Sequence, residues 1–248
     1  RGIGRAIAEE FIREGCHAHG FDRDETMPPF SSGSRLVTGD VAVYDRVRAF
    51  AELTGEVDHV VFSVGAGSGK LGFPFWNLEP GDWTRVLEIN LLGAVNVAHA
   101  FAPQFVRRKK GTMLFLVSVA GQIGSQTDPP YSAAKAGLIN FMQCVAKDLA
   151  PHGARANALS PGMVKTDLNE SVWPAGQALL PPAERQDYEL TFIEPWFLGK
   201  KLALSVDLYH RELSYVSEND YYDERRTGMR FGLTRALGSD FLIGGVSY

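Results

Sequence analysis

Apolar and polar positions alternate with two different periods along this chain, and the change between them divides it. In the first part the apolar residues recur at helical spacing or gather in short continuous runs. Ile3, Ala6, Ile7 and Phe11 fall on one stripe of the segment 2–14, which predicts an amphipathic helix with a glycine-rich first turn. A strand from Cys16 to Phe21 follows and ends at Asp22, and another ends near Gly39, Asp40 and Val41. The run DHVVFSVG, Asp58 to Gly65, is apolar almost throughout, as a strand covered on both faces should be. From Trp83 to about Arg108 the spacing is helical, with Asn90 set among Leu87, Leu91 and Leu92, and the basic run Arg107 to Lys110 suits the carbonyl end of that helix. Met113 to Val117 predicts a buried strand. Pro129 and Pro130 open a helix running through Leu138, Phe141, Met142, Val145 and Leu149 to Pro151, and Arg155 to Leu159 predicts a further strand. Helices alternating with short buried strands predict an α/β fold around a parallel sheet.

Beyond residue 172 the period drops to two. Trp173 to Pro182 is linker-like. Leu202, Leu204, Val206 and Leu208 then share one strand face against Ala203, Ser205, Asp207 and Tyr209, and Met229, Phe231 and Leu233 repeat the pattern against Arg230 and Thr234. Such strands fit a transmembrane barrel or the half-buried antiparallel sheet of a soluble protein, and periodicity does not choose between them.

Composition narrows the function classes. With 25 Lys and Arg against 29 Asp and Glu the net charge is -4, without the basic face that nucleic acid requires, so no nucleic-acid partner is expected. Cys16 and Cys144 stand alone, with no ligand-like His spacing, and are expected to be buried and reduced; no metal site is expected.

The chemistry concentrates between Ser118 and Lys135, SVAGQIGSQTDPPYSAAK. Tyr131 and Lys135 lie one turn apart on one helix face, and a phenol that titrates near 10 works as an acid or base at neutral pH when a neighbouring cation favours its phenolate. Ser118, at the carboxyl end of a strand, can hold the reacting oxygen by a hydrogen bond. At the amino end, Gly2, Ile3 and Gly4 open a helix whose free N–H groups can receive a pyrophosphate. Asp22 then stands where a dinucleotide fold holds ribose hydroxyls, favouring NAD, while Arg23 beside it can instead meet the 2′-phosphate of NADP.

In this order Asn90, Ser118, Tyr131 and Lys135, with Pro161, Gly162 and Thr166 downstream, make residues 1 to about 172 resemble a short-chain dehydrogenase/reductase. The resemblance implies a doubly wound Rossmann-type sheet, an Asn, Ser, Tyr, Lys catalytic set with Tyr131 as general acid/base, and hydride transfer between NAD(P) and a small carbonyl or alcohol substrate. It also implies that Asn90 holds a water linking Lys135 to solvent, that Asp40 with Val41 meets the adenine, that Gly65 lies close to the cofactor, and that Thr166 bonds the nicotinamide carboxamide. The family's TGxxxGxG follows a first strand; Gly2 and Gly4 match its last two glycines, so the sheet is expected to lack that strand and to leave its two neighbours unpaired. Phe62, Ser63 and Val64 replace the usual NNA before Gly65. Phe73, Phe75 and Trp76 suit loop packing, with an apolar substrate pocket or a subunit interface as the other uses.

The wording from about residue 185 to 248 resembles the barrel of the outer-membrane assembly and translocation family, enough for about four strands. The expected organisation is therefore a dehydrogenase domain over 1–172, a junction over 173–186 and an antiparallel β segment over 187–248. The cytoplasm suits the first part, as a homo-oligomer if that domain is complete; a membrane is reached only through the β segment. The alternative is a non-enzymatic outer-membrane barrel piece carrying a vestigial domain.

Overall fold

A computed structural model describes residues 1–30, 34–70, 72, 74–125, 127–162, 164, 188–194, 202–216, 221–236 and 243–247. Its α/β part begins with α1 (Gly2–Arg13), β1 (His19–Asp22), β2 (Arg35–Thr38), α2 (Tyr44–Thr54) and β3 (His59–Phe62). It continues through α3 (Pro80–Leu87), α4 (Gly93–Arg108), β4 (Gly111–Leu116), the short α5 (Ala120–Ile123), α6 (Pro129–Leu149) and β5 (Ala154–Pro161). The described antiparallel strands are β6 (Tyr188–Glu194), β7 (Leu202–Val216), β8 (Tyr221–Ala236) and β9 (Ile243–Ser247). Each predicted strand of the α/β part is present, shorter by a residue or more at one end or both in most cases. Helices α2 and α5 were not foreseen: α2 carries only one fully buried side chain, Val47, and α5 has a single turn.

All pairing among β1 to β5 is parallel, with β1 beside β2 in one sheet and the order β3-β4-β5 in the other. β1 and β3 do not pair, so the parallel sheet is divided at the place where the expected strand is lacking. The core lies where α4 and α6 cover β4 and β5: Ala94, Ala98, Phe101 and Phe105 from α4, Leu138, Met142, Val145 and Leu149 from α6, and Met113, Phe115, Ala156 and Ala158 from the strands. Small residues on β5 let the helices approach closely, and Phe105 and Phe115 fill the space at 0% and 1% exposure.

The antiparallel segment does not stand apart. β6 adds to β5 in antiparallel sense, Ala158 opposite Ile193 and Pro161 opposite Leu190, so one sheet runs β3-β4-β5-β6-β7-β8-β9. β7 and β8 bring Leu204 opposite Leu233, Val206 opposite Phe231 and Leu208 opposite Met229, placing the predicted apolar residues on one shared face. Leu208, Met229, Phe231 and Leu233 are each two-fifths exposed or more. Among the described residues β3 and β9 end the sheet without pairing, so it is open and not a closed barrel.

Two expectations are corrected. Cys16 and Cys144 are both exposed thiols: Cys16 stands in the connection between α1 and β1, and Cys144 is on α6 but not among the residues that helix buries. Phe75 and Trp76 are 64% and 69% exposed and meet edge to face at 5.3 Å, so these rings pack mainly against each other and not into the loop; Phe73 lies outside the described residues.

Candidate active site

Helix α6 sets the geometry of the site. Asp128 caps it, accepting from the Tyr131 N–H, and Pro129 and Pro130 occupy its first positions, where a missing N–H costs nothing. Tyr131 is thereby held in the first turn and Lys135 one turn later. The Lys135 side chain is 2% exposed and donates to two backbone carbonyls, Leu116 O at 2.9 Å on β4 and Val64 O at 3.1 Å after β3. Its Nζ lies 5.5 Å from the centre of the Tyr131 ring.

Burial dominates the electrostatics. Loss of water pushes Lys135 down to about 7, and it pushes Tyr131 above the ordinary phenol value of 10.0; the Ser118 side-chain hydrogen bond opposes that rise and the Asp128 charge adds to it. The sequence argument had Lys135 lowering the phenol. In this structure desolvation of the phenol dominates, and it holds its proton at neutral pH.

Ser118 follows β4, and its hydroxyl also accepts from the Ala120 N–H at 3.1 Å, which turns the chain into α5. That turn needs Gly121: a Cβ there would stand 2.8 Å from the Lys135 carbonyl carbon and the Ala136 nitrogen, both backbone atoms. Contact this close brings Ser118 against α6.

Asn90 lies in a π-helical turn, Glu88–Leu92, between α3 and α4. Within this turn the Asn90 Nδ2 donates back to the Val86 carbonyl at 2.8 Å. The same nitrogen donates to Ala66 O at 2.7 Å, and Oδ1 accepts from Ala66 N at 3.3 Å. A fully buried Asn on an apolar helix is thus satisfied, and it fixes the loop after β3.

The expected cofactor residues line the same edge. Asp22 ends β1, Asp40 follows β2, Gly65 follows β3, Ser118 follows β4, and Pro161 and Gly162 end β5, which puts them all at the carboxyl ends of parallel strands. Gly2 takes φ 56°, where a side chain would strain the backbone, and α1 has no side-chain cap on its first N–H groups. Ile3 is in that first turn. A Cβ on Gly4 would collide with Ser63 Oγ, so the α1 start packs tightly on the residues after β3. Glycine cradle and open helix end fit a dinucleotide.

Two predicted contacts have other partners here. Asp40 bonds Arg85 at 2.5 Å and the Ala42 N–H at 2.9 Å; burial raises its pKa, but these bonds outweigh burial and hold it below the ordinary value. Val41 is buried against Gly93, and its carbonyl accepts from Asn96 at 2.8 Å. Asp22 accepts from the Asp24 N–H at 3.1 Å and lies 3.6 Å from the Arg1 amino group. Thr166 lies outside the described residues. Sequence reasoning passed over Asp128, although an Asp directly before two prolines at a helix start is the signal of a cap. It also passed over Gly121, which shows only once the two backbones meet.

Comparison with known proteins places this geometry. The model of the short chain dehydrogenase family matches residues 1–176, and that of the Omp85 superfamily domain matches residues 175–244. The (-)-trans-carveol dehydrogenase of Rhodococcus erythropolis is 31% identical over 193 residues, 73% of this chain and 70% of that enzyme. A 3-oxoacyl-(acyl-carrier-protein) reductase of Aggregatibacter actinomycetemcomitans is 30% identical over 220 residues, 82% of this chain and 90% of that enzyme. Among solved structures, a gluconate 5-dehydrogenase from Burkholderia cenocepacia J2315, in complex with NADP and tartrate, superposes with a TM-score of 0.64 at 29% identity. That match covers 71% of this chain and 72% of the other.

Proposed function

Because the chain belongs to the short chain dehydrogenase family, whose members are NAD(P)-dependent oxidoreductases, we propose that it interconverts a small carbonyl compound and its alcohol with Tyr131 as the proton-transferring group. The observation that supports this reading is the placement of the four: Lys135 is anchored on Leu116 and Val64 one turn from Tyr131, the Ser118 hydroxyl bears on the phenol, and Asn90 fastens the same loop at Ala66. When bound, NAD(P) supplies or accepts the hydride. Gly2, Ile3 and Gly4 would hold its pyrophosphate and Asp22 its ribose hydroxyls, Gly65 would let it approach the backbone closely, and Pro161, Gly162 and Thr166 would meet its nicotinamide end.

The phenol that keeps its proton at neutral pH suits the reducing direction. Tyr131 donates that proton to the carbonyl oxygen as negative charge develops there, and Ser118 holds the same oxygen by a second hydrogen bond. Lys135 backs the phenol. With a pKa of about 7 it gains a proton easily when charge builds up next to it, and its anchorage on Leu116 and Val64 keeps the ammonium from swinging to solvent. Asn90 fixes the loop on which Gly65 stands.

Cofactor choice is the first test. Asp22 accepts from ribose hydroxyls and repels a 2′-phosphate, so NAD is expected to bind more tightly than NADP at fixed salt. Loss of charge-assisted hydrogen bonds in Asp22→Ala is expected to cut that preference about tenfold or more. Titration of both dinucleotides measures it. Tighter NADP binding assigns the pocket to Arg23, and no binding of either dinucleotide overturns the dehydrogenase reading.

A second reading rests on the exposed apolar face of β7 and β8 and on the match of residues 175–244. In it β6 to β9 seat the chain at an outer membrane and the dehydrogenase part is vestigial. The division 1–172, 173–186 and 187–248 goes with either reading. A chain that stays in the aqueous fraction without detergent, and turns over a ketone, supports the cytoplasmic enzyme.

A further inference from the structure

We infer that Asp128 is a positioning residue of this site: its two carboxylate oxygens tie the start of α6, and Tyr131 with it, to the loop at Ser68, so that the phenol and the loop form one rigid wall. Oδ1 accepts from the Tyr131 N–H at 3.3 Å and Oδ2 from the Ser68 N–H at 2.8 Å. The residue is 4% exposed, so water does not compete for either oxygen. A helix cap alone would need only the first bond.

The second bond belongs to a series that runs along the loop. Every second residue from 64 to 72 is fastened to a different part of the fold. Val64 O is held by Lys135, Ala66 by Asn90, and Ser68 by Asp128. Lys70 Nζ is held by both Asp82 oxygens, at 2.7 and 2.9 Å, and the Gly72 N–H by Thr127 O at 2.7 Å. Gly72 is further confined, since a Cβ there would lie 2.6 Å from Pro129 Cδ. Two of these five ties are made by residues assigned to the catalytic set, Lys135 and Asn90. Asp128 alone among these partners is hydrogen-bonded both to the loop and to Tyr131 itself.

The carboxylate also acts on the phenol through its charge. Among the described residues the titratable groups that bear on Tyr131 are Asp128 at the helix cap and Lys135 one turn on, with the Ser118 hydroxyl from the end of β4. Asp128 favours the protonated phenol, the form that donates in carbonyl reduction. Clamp and charge therefore serve the same step.

This inference deepens the dehydrogenase reading and rests on it, so its test carries one arm that needs no turnover. In the full chain, Asp128→Ala is expected to speed amide hydrogen exchange at residues 66–70 and in the first turn of α6 about tenfold or more, as loss of two buried bonds would. The same variant should lower kcat for ketone reduction about tenfold or more while the cofactor dissociation constant stays unchanged. Asp128→Asn keeps one acceptor oxygen and loses the charge. Its exchange should fall between the parent and the Ala variant, and the alkaline limb of its pH–rate profile should move to lower pH. Unchanged exchange at residues 66–70 in the Ala variant, or, should that variant not fold, parent-like exchange and an unmoved pH profile in Asp128→Asn, overturns the inference. An inactive parent with the expected exchange pattern overturns the dehydrogenase reading and leaves the clamp standing.

Discussion

Replacing Tyr131 with Phe is expected to lower kcat by about 10²- to 10⁴-fold, the contribution of a positioned general acid, while the cofactor dissociation constant moves less than about twofold. The ring is held by packing in the first turn of α6 and loses only its hydroxyl, so the fold has no reason to change. The Ser118 hydroxyl bears on the phenol, and the substitution removes that interaction. Single-turnover rates of ketone reduction in parent and variant give the number. A variant with more than about a tenth of the parental rate would remove Tyr131 from proton transfer, because an acid worth less than tenfold is no acid in this sense.

Lys135→Met carries the second large effect, and it separates function from stability. In the folded chain Lys135 titrates at about 7, against 10.5 in the open chain. Between those values the unfolded chain holds the extra proton, so the stability of the parent rises with pH across the window; the burial penalty is fully present below about 7 and is gone above 10.5. A shift of this size corresponds to a pH-dependent contribution on the order of 5 kcal/mol. Met fills the same channel without titrating. It leaves the Val64 and Leu116 carbonyls short of a donor, at about 1–3 kcal/mol, so the net change in stability near pH 7 is small while the slope between pH 7 and 10.5 flattens. Activity is expected to fall about 10²-fold or more, since the developing phenolate loses its cation. Denaturant unfolding at several pH values measures the slope, and an unaltered slope would contradict the buried, neutralised lysine.

How much of this was legible in the residues differs by segment. Short apolar runs such as His59 to Phe62 announced parallel strands, because a strand covered on both faces has no polar side to confuse its period. Asn90 stood out as a polar residue on an apolar helix, and the structure shows why it is tolerated: in the π turn at Glu88–Leu92 its amide is satisfied by Val86 O and by the backbone of Ala66. That turn itself has no sequence period and was not foreseen. Ser118, Tyr131 and Lys135 were legible through spacing, but their electrostatics were not. Spacing shows that Lys135 is near the phenol and does not show that Lys135 is buried and Tyr131 largely shielded from water, and that desolvation decides the sign of the Tyr131 shift.

The ends of the α/β part were legible in a different way. The break between β1 and β3 falls where local motif reading expects one, since Gly2 and Gly4 match the last two glycines of a motif that follows a strand. The addition of β6 to β5 does not follow from any local pattern, because pairing between segments far apart in sequence leaves no period in either of them. The alternation in β7 and β8 predicted an apolar face, and Leu204, Val206, Leu208, Met229, Phe231 and Leu233 form it across the ladder. What covers that face is a question of surroundings, which alternation leaves open.

The central claim is that the edge formed by Ser118, Tyr131 and Lys135 carries out reduction with direct hydride transfer. It is tested most directly by incubating the full chain with a ketone and a nicotinamide dinucleotide deuterated at the transferring carbon, then reading the label in the product by mass spectrometry. Deuterium on the carbinol carbon of the alcohol, absent when Tyr131→Phe replaces the parent, is the predicted result. An alcohol formed without label, or an equal yield of labelled alcohol from the variant, would contradict it.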